Sequence, residues 1–256
     1  MNTLSFTPST FVAAFALALG SPLAAAQAAT TAPAQGTAPG TIRPAVPPGQ
    51  PVAARAGAND RRDSAQNAVE HVNKALEVVR KMEGDPNVKS LLKSAKGVFV
   101  VPDYGRAALV VGGQGGAGVL LVHRDDKWAG PAFYNMGGMS VGAQAGISAG
   151  QIAMILMDDK ALASFGTHNK FSLNADAGLT IVNYSARAHG AAGRGDVVMW
   201  SDTEGAFANL SVSVTDVNYD ENETRAYYDR TVDPKSVVAG EVVSQKADKL
   251  LKALPG

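Results

Sequence analysis

The sequence predicts an α+β fold: a strongly curved antiparallel β-sheet or barrel-like core of about 8–9 short strands, with N-terminal helices and a C-terminal helix. Three observations predict it. Apolar side chains recur at three- and four-residue steps only near the two ends of residues 60–256 and in one short insertion. Between them lie β-branched runs bounded by glycine, proline or charge, and two stretches of strict apolar/polar alternation. Strands that succeed one another without intervening helices pair antiparallel, because a parallel neighbour needs a long crossover.

Residues 1–28 read as a signal peptide. Phe11 to Gly20 is an apolar run that suits an h-region and is too short to span a bilayer; Ala24-Ala25-Ala26 and Ala26-Gln27-Ala28 both suit signal peptidase. No Lys or Arg precedes Arg43, so only the α-amino group charges the n-region, and a mis-assigned start codon is the alternative. Residues 29–59 are rich in Ala, Pro, Thr and Gly, with two arginines and no acid. Such a stretch buries too little to offset its ordering entropy and reads as a disordered tether. Residues 60–256 are then a single domain.

The first helix carries Ala65, Ala68, Val69, Val72, Ala75, Leu76, Val79 and Met82 on one stripe. Asp60 is its expected N-cap and Gly84 its stop, and Glu70–Lys74 and Glu77–Lys81 are (i, i+4) pairs on its polar face. A second helix starts at Asp85-Pro86, with Val88, Leu91, Leu92 and Ala95 on its apolar side, and ends at Gly97. Short strands follow at Gly97–Pro102, Ala108–Gly112 and Gly118–His123, then a turn at Asp125-Asp126-Lys127 and a strand from Trp128 to Met136. Met139 to Gly150 and Phe171 to Ile181 alternate with period two and read as one strand each. Ile152 to Met157 is a buried run, Asp159 to Phe165 a helical turn, and Val197 to Trp200 and Leu210 to Val214 complete the sheet. Val242, Val243, Ala247, Leu250, Leu251 and Leu254 share a face of the last helix.

Composition excludes several functions. With 23 basic and 23 acidic side chains the chain has no basic excess to displace counterions from nucleic acid. Zero cysteines exclude disulfides, cysteine nucleophiles and thiolate zinc sites. Gly113 to Gly118 matches G-x-G-x-x-G, but a strand follows where a dinucleotide fold needs a helix, so a glycine-rich bend between two strands is expected. Gly138 to Gly142 and Gly146 to Gly150 both match G-x-S-x-G, which nominates Ser140 and Ser148. Two copies within one alternating strand differ from a nucleophile elbow, and nothing in the spacing selects His168, His189, Asp176 or Asp196 as partners. The four histidines show no metal-ligand spacing, and Asp216, Asp220, Glu221 and Glu223 read as a solvated turn. No cofactor or metal is expected.

Lys89, Lys93 and Lys96 recur at i, i+4 and i+7 beside the leucine stripe, with no acid at a compensating position. Such a row suits the boundary of an anionic membrane. At about 1 kcal/mol per basic residue, three lysines supply about 3 kcal/mol of peripheral attachment. In the alternative reading the apolar side packs on the sheet and the lysines face water.

The order of several motifs carries a resemblance. Ala95-Lys96-Gly97 leads to Pro102 and the glycine-rich Gly112 to Val119; Trp128-x-x-Pro131 and Gly142-x-Gln144-x-Gly146 follow. Lys160-Ala161-Leu162 with Phe165, Ala175-Asp176-Ala177, and Gly205-x-Phe207-Ala208 running on to Tyr227-Tyr228 complete the series. From about Asn67 to Leu254 the chain resembles the SYLF domain family, known from phosphoinositide-binding and actin-patch proteins and from bacterial envelope proteins. The resemblance implies a non-enzymatic module that binds anionic phospholipid through basic residues: Lys89, Lys93 and Lys96, with Lys74, Arg80 and Lys81 beside them. With the signal peptide, it implies a periplasmic or secreted protein that associates peripherally with the membrane and does not meet cytosolic actin. The alternatives are an envelope scaffold that binds a protein or glycan through its sheet face, and a serine hydrolase using Ser140 or Ser148.

Overall fold

The computed structural model describes residues 52–108, 111–141, 146–167, 170–173, 178–184, 195–202 and 214–256. The expected signal peptide and most of the tether lie outside them. A long helix, α1 (Val52–Glu83), and a short one, α2 (Pro86–Ser94), precede the sheet. The strands are β1 (Gly97–Ala108), β2 (Val111–Arg124), β3 (Lys127–Val141), β4 (Gly146–Leu156), β5 (Phe171–Leu173), β6 (Ile181–Asn183), β7 (Val197–Ser201) and β8 (Val214–Tyr219). Helix α3 (Asp159–Ala163), continued by a 3₁₀ turn at Ser164–Gly166, separates β4 from β5. Helices α4 (Glu221–Tyr228), α5 (Pro234–Val238) and α6 (Asp248–Ala253) follow the sheet.

The sheet is curved and nearly closed, in the order β5-β8-β3-β2-β1-β4-β7-β6. The expected curved α+β architecture is therefore present. Its pairing is antiparallel except for β6 and β7, which run parallel and make the sheet mixed. Between β2 and β3, Asp125 and Asp126 adopt φ of 49° and 58°, the left-handed pair that a two-residue hairpin turn requires. The expected Asp-Asp turn is formed.

Both faces of the central strands are buried, which is why the apolar runs in β1 and β4 are continuous rather than alternating. Val98 and Val100 point to a core shared with α1, α2 and α6, where Val72, Val79, Met82, Val88, Leu92 and Leu250 meet them. Phe99 and Val101 point to the opposite core, closed by Leu162, Phe165, Leu173, Val217 and Val237.

Several boundaries differ from the sequence expectation for local reasons. Helix α1 begins at Val52, so Asp60 lies inside it rather than capping it, and residues 52–59 are helical where a tether was read. Alanine and arginine are strong helix formers, and no proline interrupts 52–83. β1 continues past Pro102 because the register with both neighbours shifts there, and a bulge accommodates a residue without an N–H.

Gly113 to Gly118 is not a bend but the interior of β2. Side chains are excluded there: a Cβ on Gly116 would meet the Asp103 carbonyl oxygen at 2.6 Å, and one on Gly118 the Phe99 ring at 2.5 Å.

The run from Met139 to Gly150 is two strands, the end of β3 and the start of β4, with 142–145 outside the described residues. Likewise Phe171–Leu173 pairs with β8 while Ile181–Asn183 pairs with β7. Gly178 lies between them with φ of 69°. At the C-terminus Val242 and Val243 are not helical. Val243 forms an isolated bridge with Gly130 and is 60% exposed, and the final helix starts only at Asp248, after a 3₁₀ turn.

Candidate functional site

Helices α1 and α2 carry every basic residue singled out from the sequence except Lys96. Asp85 caps α2 by accepting from the Asn87 N–H, and Pro86 follows at the first helical position, as expected. The cap is itself held: the Tyr184 hydroxyl donates to Asp85 Oδ2 at 2.6 Å. That bond holds the Asp85 carboxyl below its usual range, while burial and the neighbouring carboxylate push Tyr184 up to about 12. Val88, Leu92 and Ala95 are buried in the sheet core with Leu91 packed against it, so the leucine stripe faces inward. Of the two readings of this stripe, packing on the sheet is the one formed.

The lysine row does not form one helical arc. Helix α2 stops at Ser94 with Ala95 as its C-cap. Lys96 lies beyond it in the lead-in to β1, its N–H donating to Leu156 and its carbonyl accepting from His123. Its side chain is half-buried and helps hold the Asp159 carboxyl low, behind the larger contribution of Arg124. Lys89 turns back to Glu83, with Nζ 2.8 Å from Oε2. Only Lys93 of the three is exposed without an ion pair among the described residues.

The three further candidates divide in the same way. Lys74 bridges Glu70 at 2.7 Å and Asp103 at 2.8 Å, and both carboxylates hold it protonated. Lys81 does not pair with Glu77; it donates to Gln151 Oε1 at 2.6 Å and lies 3.3 Å from Asp202. These two lysines are struts from α1 to the sheet. Arg80 is exposed and has no ion pair among the described residues.

A charge reversal separates the two kinds of lysine. Lys89→Glu sets a second carboxylate against Glu83, whose side chain is only 18% exposed, and is expected to lower stability by on the order of 1 kcal/mol. Lys93→Glu is expected to change it by less than about 0.5 kcal/mol. Urea unfolding of the two variants checks the contrast.

Sequence reasoning missed a second basic cluster. Arg61 and Arg62 on α1 and Arg225 and Arg230, on and just beyond α4, line one groove of 480 Å³ with Asp229 and Thr231. α4 itself was read as a solvated acidic turn. Asp220 instead caps it by accepting from the Glu223 N–H at 2.8 Å, and the Asp220-x-x-Glu223 spacing was the available signal. The two helices are clasped by His71 Nδ1 and Glu223 Oε1, 2.6 Å apart. The Glu223 bond raises His71 above its ordinary value of 6.5, outweighing burial, which lowers it.

A raised histidine stabilises the fold fully below the unfolded value, and its contribution fades as pH rises through the native value. Between about pH 6 and pH 9 the melting temperature of the wild type is therefore expected to fall more steeply than that of His71→Gln. Parallel thermal melts check this.

Among the described residues the chemistry of a hydrolase is not assembled. Ser140 lies on β3 in register with Gly112, and Ser148 on β4 in register with Arg106, so neither occupies a strand-to-helix elbow. His168, His189 and Asp176 lie outside the described residues, and Asp196 accepts from the Thr180 N–H. No group of three His, Cys, Asp or Glu among the described residues is placed to hold a metal ion. No helix among them is long and apolar enough to cross a membrane.

A curved mixed sheet beneath two N-terminal helices carries the motif order that resembles the SYLF family. Residues 137–256 match the family described as "Ysc84: Las17-binding protein actin regulator". It is 27% identical over 171 residues to Protein YSC84 of Saccharomyces cerevisiae, a match covering 64% of this chain and 36% of the yeast protein. An SH3 domain-containing protein of Schizosaccharomyces pombe is 27% identical over 172 residues, with 40% of its length covered. The SH3 domain-containing YSC84-like protein 1 of Rattus norvegicus is 23% identical over 161 residues, covering 59% of this chain and 46% of the rat protein. The chain thus spans less than half the length of these relatives. No solved structure matches it.

Proposed function

We propose that the domain binds anionic phospholipid surfaces peripherally and without covalent chemistry, at the periplasmic or outer face of a bacterial envelope. The observation that supports this most is the set of uncompensated cations on the helical layer: Arg62, Arg80 and Lys93 are exposed and without ion pairs among the described residues. Cations left unpaired on a surface attract anionic headgroups at about 1 kcal/mol each. Because the leucine stripe of α2 is buried, attachment is electrostatic rather than insertional. The likeness to the SYLF family supports the same reading.

Co-sedimentation with phosphatidylglycerol and phosphatidylcholine vesicles tests it. Pelleting with the first and not the second is expected; equal pelleting with both, or with neither, contradicts it.

A further inference from the structure

We infer that the groove between α1 and α4 is a binding site for a phosphate monoester, a dianion presenting three terminal oxygens; the inference rests on the lipid reading only for the source of that phosphate. Arg61, Arg62, Arg225 and Arg230 line the groove, and one carboxylate, Asp229, lines it with them. An adjoining hollow shares Arg61 and Arg225 and adds Asp60, so the local balance stays positive.

The choice of arginine here is chemically specific. On the same helix the sheet-facing struts are lysines, which serve as point charges, whereas every cation lining the groove is a guanidinium. A guanidinium fork offers parallel N–H donors that match two oxygens of one phosphate, which an ammonium cannot do. Three terminal oxygens and two negative charges can engage several such forks at once. A phosphodiester, with one charge and two free oxygens, engages fewer.

Two of the forks are held in place before any ligand arrives. Arg225 Nη2 donates to Asn222 Oδ1 at 2.9 Å. The Arg230 guanidinium lies 5.8 Å from the centre of the Tyr228 ring, and Tyr228 is fixed in turn by donating its hydroxyl to the Pro131 carbonyl at 2.8 Å. Asp229, between Tyr228 and Arg230, takes the left-handed φ of 54° that ends α4 and turns the chain there. The His71–Glu223 clasp fixes the spacing of the two walls. Preorganised donors reduce the ordering cost that otherwise weakens binding.

The test compares vesicles of phosphatidic acid with vesicles of phosphatidylglycerol at equal surface charge, and reads the ratio of the two partition coefficients. Wild type is expected to favour phosphatidic acid by about tenfold, the scale of one charge-assisted hydrogen bond. Arg225→Gln/Arg230→Gln is expected to bring the ratio to about one. Arg225→Lys/Arg230→Lys keeps the charge and is expected to lose most of the preference, because the forks are gone. Thermal melts establish that both variants fold.

A folded Gln variant that keeps the wild-type ratio overturns the groove, as does a wild type without preference that also fails to bind glycerol 3-phosphate. Isothermal titration with glycerol 3-phosphate separates the sources. Binding of it by wild type but not by the Gln variant, with no partition to any vesicle, retains the groove as a site for soluble phosphate esters and overturns the lipid reading alone.

Discussion

Phe99→Ala is expected to lower the free energy of unfolding by about 3–5 kcal/mol. Phe99 is fully buried near the start of β1, the strand between β2 and β4 in the sheet. Its ring packs 5.3 Å from that of Phe165 and 6.1 Å, edge-on, from that of Tyr134. Gly118 on β2 has no room for a Cβ because this ring fills the space. Truncation therefore removes a ring's worth of contacts and opens a void that the rigid strands on either side cannot close. Against a typical total of about 5–15 kcal/mol, such a loss is a large fraction of the stability. Guanidinium chloride unfolding measures it. Val69→Ala, at a 43% exposed position on α1, is the comparison and is expected to cost less than about 0.5 kcal/mol. A similar small loss for Phe99→Ala would contradict the two-sided core.

Arg80→Ala/Lys93→Ala is expected to weaken partition to phosphatidylglycerol vesicles by about thirtyfold, the equivalent of two charges at about 1 kcal/mol each. Both side chains are exposed and carry no ion pair among the described residues, so their removal leaves the fold without orphaned partners. Lys74→Ala/Lys81→Ala removes the same formal charge from α1. There the lost ammonium groups already face Glu70, Asp103 and Asp202. Vesicle partition is expected to respond less to this second pair, because its ammonium groups are turned onto carboxylates at the sheet and not presented to headgroups. The discriminating quantity is the difference between the two double variants, read by co-sedimentation at fixed lipid.

What was legible in the sequence was local. Asp85-Pro86 announces a helix start because cap and proline act within one turn, and Asp125-Asp126 announces a hairpin because only a two-residue loop fits between Arg124 and Lys127. Period-two alternation, by contrast, cannot register a change of strand. Met139 to Gly150 keeps its rhythm while β3 gives way to β4, and Phe171 to Ile181 keeps it while the chain passes from one end of the sheet to the other. A helical count likewise carried the lysine row through Ala95 to Lys96, although the backbone turns extended at Ala95, with ψ of 149°.

The site was less legible than the fold because its elements are distant in sequence. Arg61 and Arg62 meet Arg225 and Arg230 only through the packing of α1 against α4, and α4 was hidden by a run of charges that looked like a solvated turn. Glu70–Lys74 is legible as an (i, i+4) pair, but only the fold shows that Lys74 also meets Asp103, that Lys81 meets Asp202 and that Lys89 meets Glu83.

The central claim is that attachment to membrane is electrostatic and peripheral. Partition of the wild type to phosphatidylglycerol vesicles, measured by flotation from about 0.1 M to about 1 M salt, tests it most directly, because the Debye length shrinks over that range from about 10 Å to about 3 Å. A steep fall to the level seen with phosphatidylcholine is expected. Partition that holds constant across the series, or that is equal for the two lipids at low salt, would contradict it.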